Sequence, residues 1–315
     1  MPQATVADKE WILPTLPASP DNPLTKNSVS LGKTLFFDPR LSRNGNMSCA
    51  SCHNPSLGWS DGLKTARGDH GKLLPRATPT ITNVAYSKIL MWDVRHPSLE
   101  SQALGPMESE DEMNTDFEQV LGFLSSNAKY QTMFKQAFPA EGVSTSAMAK
   151  ALANFQRTVV VNDSRFDRWL AGDTAALSWS EWRGFQLFKG KAMCSKCHSA
   201  TNFTDDGFHN IGLSQLATEK ADVGRYLIRK VKVNKGAFKT PPLRDVANTA
   251  PYFHDGSSGT LSEVIDHYTK GGEIRTNLSP NMFALDLTEL EKKDLVEFMY
   301  SLSSAPKSFD VPSLP

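Results

Sequence analysis

Cys49-Ala-Ser-Cys52-His53 and Cys194-Ser-Lys-Cys197-His198 contain all four cysteines of this 315-residue chain, and each pair is followed at once by a histidine. No cysteine is left over for a disulfide. Two thiols three positions apart can each form a thioether with one haem vinyl group, and the adjacent histidine then offers its imidazole to the iron as proximal ligand. Zinc would need four ligands close together, but these pairs lie more than a hundred residues apart, against roughly 15 to 20 in a zinc ribbon. A thioredoxin-like role explains one C-x-x-C near a βαβ pattern, not two with trailing histidines. The motifs therefore read as two covalently attached c-type haems, held by Cys49, Cys52 and His53 and by Cys194, Cys197 and His198.

Similar segments precede the two motifs, Gly32-Lys-Thr-Leu35-Phe36 and Gly184-Phe-Gln-Leu187-Phe188, which points to a duplicated domain. Ser178-Trp-Ser-Glu181 is a capping-box pattern, followed by Trp182, Phe185 and Phe188 on one face of a helix, where aromatic side chains ordinarily pack a core. Met148 to Val160 and Phe117 to Leu124 also read as helix. A late helix starts at Thr288, with Glu291 three on, and carries Leu295, Phe298, Met299 and Leu302 at helical spacing. Proline and glycine dominate the stretches around the haem motifs, so the expected fold is mainly α with long loops. Length favours two domains, residues 1–165 and 166–302, with a polar tail, 303–315, extended over the surface and packed on the first.

With 34 basic and 34 acidic residues there is no global electrostatic case for nucleic acid or a membrane surface. No stretch reaches the roughly 18 consecutive apolar residues of a membrane span, and Met1-Pro-Gln-Ala-Thr-Val lacks the pattern of a signal peptide. Because c-type haem is attached outside the bacterial cytoplasm, the chemistry still implies the periplasm, with an export signal on the precursor.

Further segments carry a resemblance: Leu35-Phe-Phe-Asp-Pro-Arg-Leu-Ser42, Met91-Trp-Asp93, Gln102-Ala-Leu-Gly-Pro106 to Glu112-Met113, and Thr240-Pro-Pro-Leu-Arg244 to Ala250-Pro-Tyr-Phe-His-Asp-Gly256. From about Leu31 to Leu302 the chain resembles the bacterial diheme cytochrome c peroxidases and their MauG-like relatives. The resemblance implies two cytochrome c-like haem domains packed face to face. It makes the His53 haem the one that meets hydrogen peroxide. It also makes Glu112 the distal carboxylate that shuttles a proton during O–O cleavage, at a pKa raised by burial. Gln102 matches a distal-pocket glutamine of MauG-like members, and Trp92 the tryptophan between the haems.

In the peroxidases a methionine, fourteen residues after the histidine of the Phe-His-x-Gly motif, is the second ligand of the second haem. Counting from His254, this chain has Tyr268, as the MauG-like branch does. A tyrosinate oxygen favours ferric and higher states, where a thioether favours ferrous iron. His267 is the rival ligand. Thr260 and Glu263 form a capping box, and Leu261, Val264, Ile265 and Tyr268 form one helical stripe, from which His267 is turned by about 100°. The distal histidine of the peroxidases aligns with Asp69, one residue before His70, which reads as an exposed loop residue. The family's calcium ion would use the carbonyls of Thr249 and Pro251, but its asparagine position is Ala77, so a water or main-chain oxygen would have to take that place. His96, His209 and His254 fit hydrogen-bonding scaffolds rather than iron ligands.

The function expected from the resemblance is peroxide-driven formation of a high-valent diheme state that oxidises a protein substrate. The alternatives are a cytochrome c peroxidase fed by a small cytochrome c or cupredoxin and, third, a pure electron-transfer cytochrome. Family members are often dimers, so a homodimer belongs to the same expectation.

Overall fold

In the computed structural model, which describes residues 1–305 and 308–315, ten α-helices carry the architecture. They are α1 (Lys26–Phe36), α2 (Cys49–Cys52), α3 (Leu99–Glu108), α4 (Phe117–Ser126), α5 (Ala128–Ala137), α6 (Thr145–Arg157), α7 (Arg165–Leu170), α8 (Trp179–Lys189), α9 (Leu261–Lys270) and α10 (Glu289–Ser301). Among the described residues the only sheet is an antiparallel pair of two-residue strands, β1 (Phe208–His209) and β2 (Phe238–Lys239). The capping boxes expected at Ser178/Glu181, Thr260/Glu263 and Thr288/Glu291 start α8, α9 and α10. The helix expected at Met148 to Val160 begins earlier, capped by Ser144. It also ends earlier, because the Val159 carbonyl and the Val161 amide leave the ladder to bond Asn83.

The two glycine-led segments occupy equivalent places. A Cβ on Gly32 would lie 1.9 Å from the Ala151 carbonyl oxygen of α6, and one on Gly184 would lie 2.0 Å from the Asp294 carbonyl oxygen of α10. Each glycine thus lets two helices cross with their backbones in contact. Around each crossing a hydrophobic core forms. The first is built on Leu31, Leu35, Phe36, Tyr130, Leu152 and Phe155, and the second on Phe166, Trp169, Phe185, Phe188, Phe203 and Phe298. Each such side chain contributes about 1.5–3 kcal/mol by leaving water.

The chain ends cross over between the cores. Residues 1–11, expected with the first domain, pack on the second core, because the Trp11 ring enters its aromatic cluster, 4.7 Å from Phe203, while its carbonyl accepts from buried Arg244. The tail does the reverse: Phe309 stacks on Phe37 at 5.4 Å and meets Trp59 edge-on at 5.0 Å, and Arg40 donates to the Pro315 carbonyl. Residues 306 and 307 of the expected tail lie outside the described residues. No helix among the described residues is long and apolar enough to cross a membrane.

Candidate haem-binding active site

A Ser48–Ser51 capping box starts the single turn α2, which places Cys49 and Cys52 on the wall of a cavity of about 580 Å³. His53, just past the turn, lines the same cavity. Its Nδ1 lies 3.1 Å from the Trp59 carbonyl, an acceptor only, so Nδ1 carries the proton and Nε2 keeps its lone pair for a metal. Burial lowers the His53 pKa, which keeps the ring neutral.

The second motif repeats the arrangement. Cys194, Cys197 and His198 line a cavity of about 220 Å³, and His198 Nδ1 donates to the Phe203 carbonyl at 3.0 Å. Burial pushes the His198 pKa down to about 4. Trp59 and Phe203 both adopt left-handed backbone, at φ 59° and 54°, a conformation that costs a bulky residue roughly 1–2 kcal/mol. The same left-handed conformation thus occurs at both residues whose carbonyls accept from the histidines. Burial also raises the thiols, Cys49 and Cys194 to about 12 and Cys52 to about 11, so they stay neutral.

Helix α9 aims Tyr268 into the second cavity. Enclosure raises its phenol pKa. His267 is buried on another side, where its Nε2 donates to the Ile211 carbonyl at 2.8 Å, which leaves that nitrogen no lone pair for a metal.

Glu112, Gln102 and Trp92 all line the first cavity. The Glu112 backbone is clasped by the loop before it: Asp69 N–H donates to its carbonyl at 3.0 Å, and a Cβ on Gly68 would lie 1.7 Å from the neighbouring Asp111 carbonyl oxygen. Burial raises the Glu112 carboxyl pKa against the opposing charge of Arg95. The Gln102 amide nitrogen sits 3.8 Å from the Met91 sulfur. Trp92 lines both cavities, its Nε1 donating to the Ala77 carbonyl at 2.9 Å and its own carbonyl accepting from Lys239 N–H of β2.

The other histidines are scaffold or surface. The His70 side chain is 82% exposed beside Asp69 and lines neither cavity. His96 pairs with Ser101, and His254 lies face to face with Phe238 at 3.5 Å. His209 is held by Asp205 at 2.9 Å and Ser279 at 3.0 Å; the Asp205 carboxylate helps raise it to about 10. Cys197, Asp205 and His209 form the one metal-capable cluster among the described residues, but a thioether would consume that sulfur. Thr249, Pro251 and Ala77 line the second cavity together, although the Ala77 carbonyl already accepts from Trp92.

Sequence reasoning missed the Trp59 and Phe203 carbonyls, since any residue supplies a carbonyl, and the Gly68 clasp, for which a lone loop glycine is only a weak signal. The residues fit two haems: each cavity has one Cys-Cys-His wall, a histidine clasped through Nδ1 and a mainly apolar lining, and the Tyr268 phenol lines the second.

Known proteins give the same assignment. Residues 26–175 match the family described as di-haem cytochrome c peroxidase. Methylamine utilization protein MauG of Methylorubrum extorquens is 46% identical over 96% of this chain and 85% of its own. The chain belongs to the diheme cytochrome c peroxidase and MauG family. Within it, cytochrome c551 peroxidase of Nitrosomonas europaea is 33% identical over 98% of this chain and 89% of its own. A crystal structure of a MauG-like protein associated with microbial copper homeostasis superposes with a TM-score of 0.86 at 34% identity, covering 93% of this chain and 95% of that one. As a member of the family, this chain is an oxidoreductase of the diheme peroxidase type, with two haem cofactors.

Proposed function

We propose that this protein is a MauG-like diheme oxidase, which uses hydrogen peroxide to withdraw electrons from a protein substrate. The observation that carries the reading is Tyr268, which lines the cavity of the second Cys-Cys-His motif at the position where the peroxidases place methionine. The 46% identity to MauG supports it. The haems supply the redox chemistry. Nε2 of His53 and of His198 would hold the two irons, and Tyr268 would give the second an oxygen ligand that favours ferric and higher states. Glu112 moves a proton from the inner peroxide oxygen to the outer one, so that the outer oxygen leaves as water. Its raised pKa suits a group that must take and return that proton. Gln102 donates a hydrogen bond that orients peroxide, and Trp92, in the wall of both cavities, connects them electronically. The reading includes one haem in each of the two units divided near residue 165, a calcium ion on the Thr249 and Pro251 carbonyls, and a periplasmic location, where c-type haem is attached.

The test is the EPR and absorption spectrum of the ferric protein before and after stoichiometric peroxide, beside Tyr268→Met. Expected are a high-spin first haem, a low-spin second haem altered by the substitution, and a long-lived oxidised state lost in the variant. Two low-spin haems inert to peroxide would overturn the proposal. The 33% identity to a cytochrome c551 peroxidase favours a second reading, peroxide reduction with electrons from a small cytochrome c or cupredoxin. Sustained turnover with such a donor, unaffected by Tyr268→Met, would select it.

A further inference from the structure

Seven consecutive exposed residues, Leu227-Ile-Arg-Lys-Val-Lys-Val233, stand at the rim of the first cavity, which Leu227 itself lines. The aliphatic side chains of Leu227, Ile228, Val231 and Val233 are 57%, 47%, 44% and 68% exposed. Arg229, Lys230 and Lys232 form no ion pair among the described residues, in a chain whose acids and bases balance at 34 each. From residue 225 to 235 there are five cationic side chains and no acid.

The segment is also pinned from below. Arg225 donates to the Asp93 and Val94 carbonyls, next to Trp92, and lies over the Phe208 ring at 4.8 Å. Asn277 donates to the Lys232, Val233 and Lys235 carbonyls, and Asn234 to the Arg229 carbonyl. Polar anchors thus face inward and aliphatic groups outward, the reverse of what folding alone selects. A rigid apolar centre within unpaired cations complements a protein surface that is apolar at its centre and acidic around it.

We propose that residues 227–233 are the docking surface for an acidic protein partner, which brings its oxidisable group to the rim of the first cavity beside the Trp92 segment. This rests on the reading that the partner is a protein. A membrane is the weaker fit, since the segment is seven residues of turns with no amphipathic helix to lie in a lipid interface.

The experiment is calorimetric titration of the two-haem protein with a small acidic cupredoxin, with a small basic c-type cytochrome as control. Binding of the acidic probe should weaken steeply with salt, as rim charge pairing does. Arg229→Glu/Lys230→Glu/Lys232→Glu should weaken it at least about tenfold, since like charges across an interface are repulsive. Val231→Ser/Val233→Ser, at two exposed positions that line neither cavity, should weaken binding without changing the salt slope, and both variants should react with peroxide as the parent does. Absent binding, equal binding of the basic control, an unaffected triple variant, or capture of the protein by phosphatidylglycerol vesicles through these residues would each overturn the proposal. Protein inert to peroxide that still shows this binding pattern would remove the oxidase reading and leave the docking surface standing. Reactive protein without the pattern would remove the docking surface alone.

Discussion

Gly68→Ala reaches the proposed proton carrier through its backbone. A Cβ there would sit 1.7 Å from the Asp111 carbonyl oxygen and 3.2 Å from the Glu112 Cα. Ordinary van der Waals contact begins at 3.4 Å, so the Asp111–Glu112 backbone must retreat by about 1.7 Å. It cannot do so freely, because Asp69 N–H holds both the Asp111 and Glu112 carbonyls and Met113 N–H bonds the Pro106 carbonyl. Overpacking of this kind costs about 1–3 kcal/mol of stability. A misplacement of about 1 Å at a catalytic group costs on the order of 100-fold in rate. The assay is stopped-flow reaction of the diferric protein with peroxide, alongside denaturant unfolding. The expected result is a fall of about 100-fold in the second-order rate with both haems still attached and the second haem's EPR signal unchanged. A near-normal rate in a folded variant would refute the claim that this clasp positions Glu112.

Glu112→Gln should slow the peroxide reaction by about 10²–10⁴-fold, measured by the same stopped-flow assay. Because burial raises the folded-state pKa of Glu112, its neutral form favours folding, and that contribution is lost as pH rises through the raised pKa. The glutamine variant should therefore match the parent's stability in acid and equal or exceed it at neutral pH, as urea midpoints would show, while the parent's peroxide rate rises with pH through that same pKa. His267→Ala leaves the half-buried Ile211 carbonyl without its donor and should cost about 1 kcal/mol, with the second haem's low-spin EPR signal retained; loss of that signal would make His267 the ligand. Phe309→Ala removes a half-buried ring from Phe37, Trp59 and Phe155 and should cost about 1–3 kcal/mol in urea unfolding, below the range for a fully buried phenylalanine.

The sequence by itself determined whatever depends on short spacings. Two C-x-x-C-H motifs specify thioether and histidine ligation within one turn of chain, and capping boxes specify where α8, α9 and α10 begin. A period of 3.6 residues separates Tyr268 from His267, and the structure sends the two side chains to different surroundings. The two glycine-led segments were legible as a repeated pattern, although the reason for those glycines, backbone contact between crossing helices, was not.

Only the tertiary structure decided what depends on contacts between distant segments. The Trp59 and Phe203 carbonyls that clasp His53 and His198 carry no residue signature, because every peptide has a carbonyl and its direction is set by backbone torsion. The exchange of chain ends between the cores could not be read from hydrophobicity, since Trp11 and Phe309 would fit any aromatic cluster within reach. That Trp92 walls both cavities is a property of packing: β2, the Ala77 strand of loop and the Trp92 segment meet from positions far apart in the chain. Local bonding preferences are written in local sequence, whereas the placement of one segment against another comes from the sum of many weak contacts that no single stretch contains.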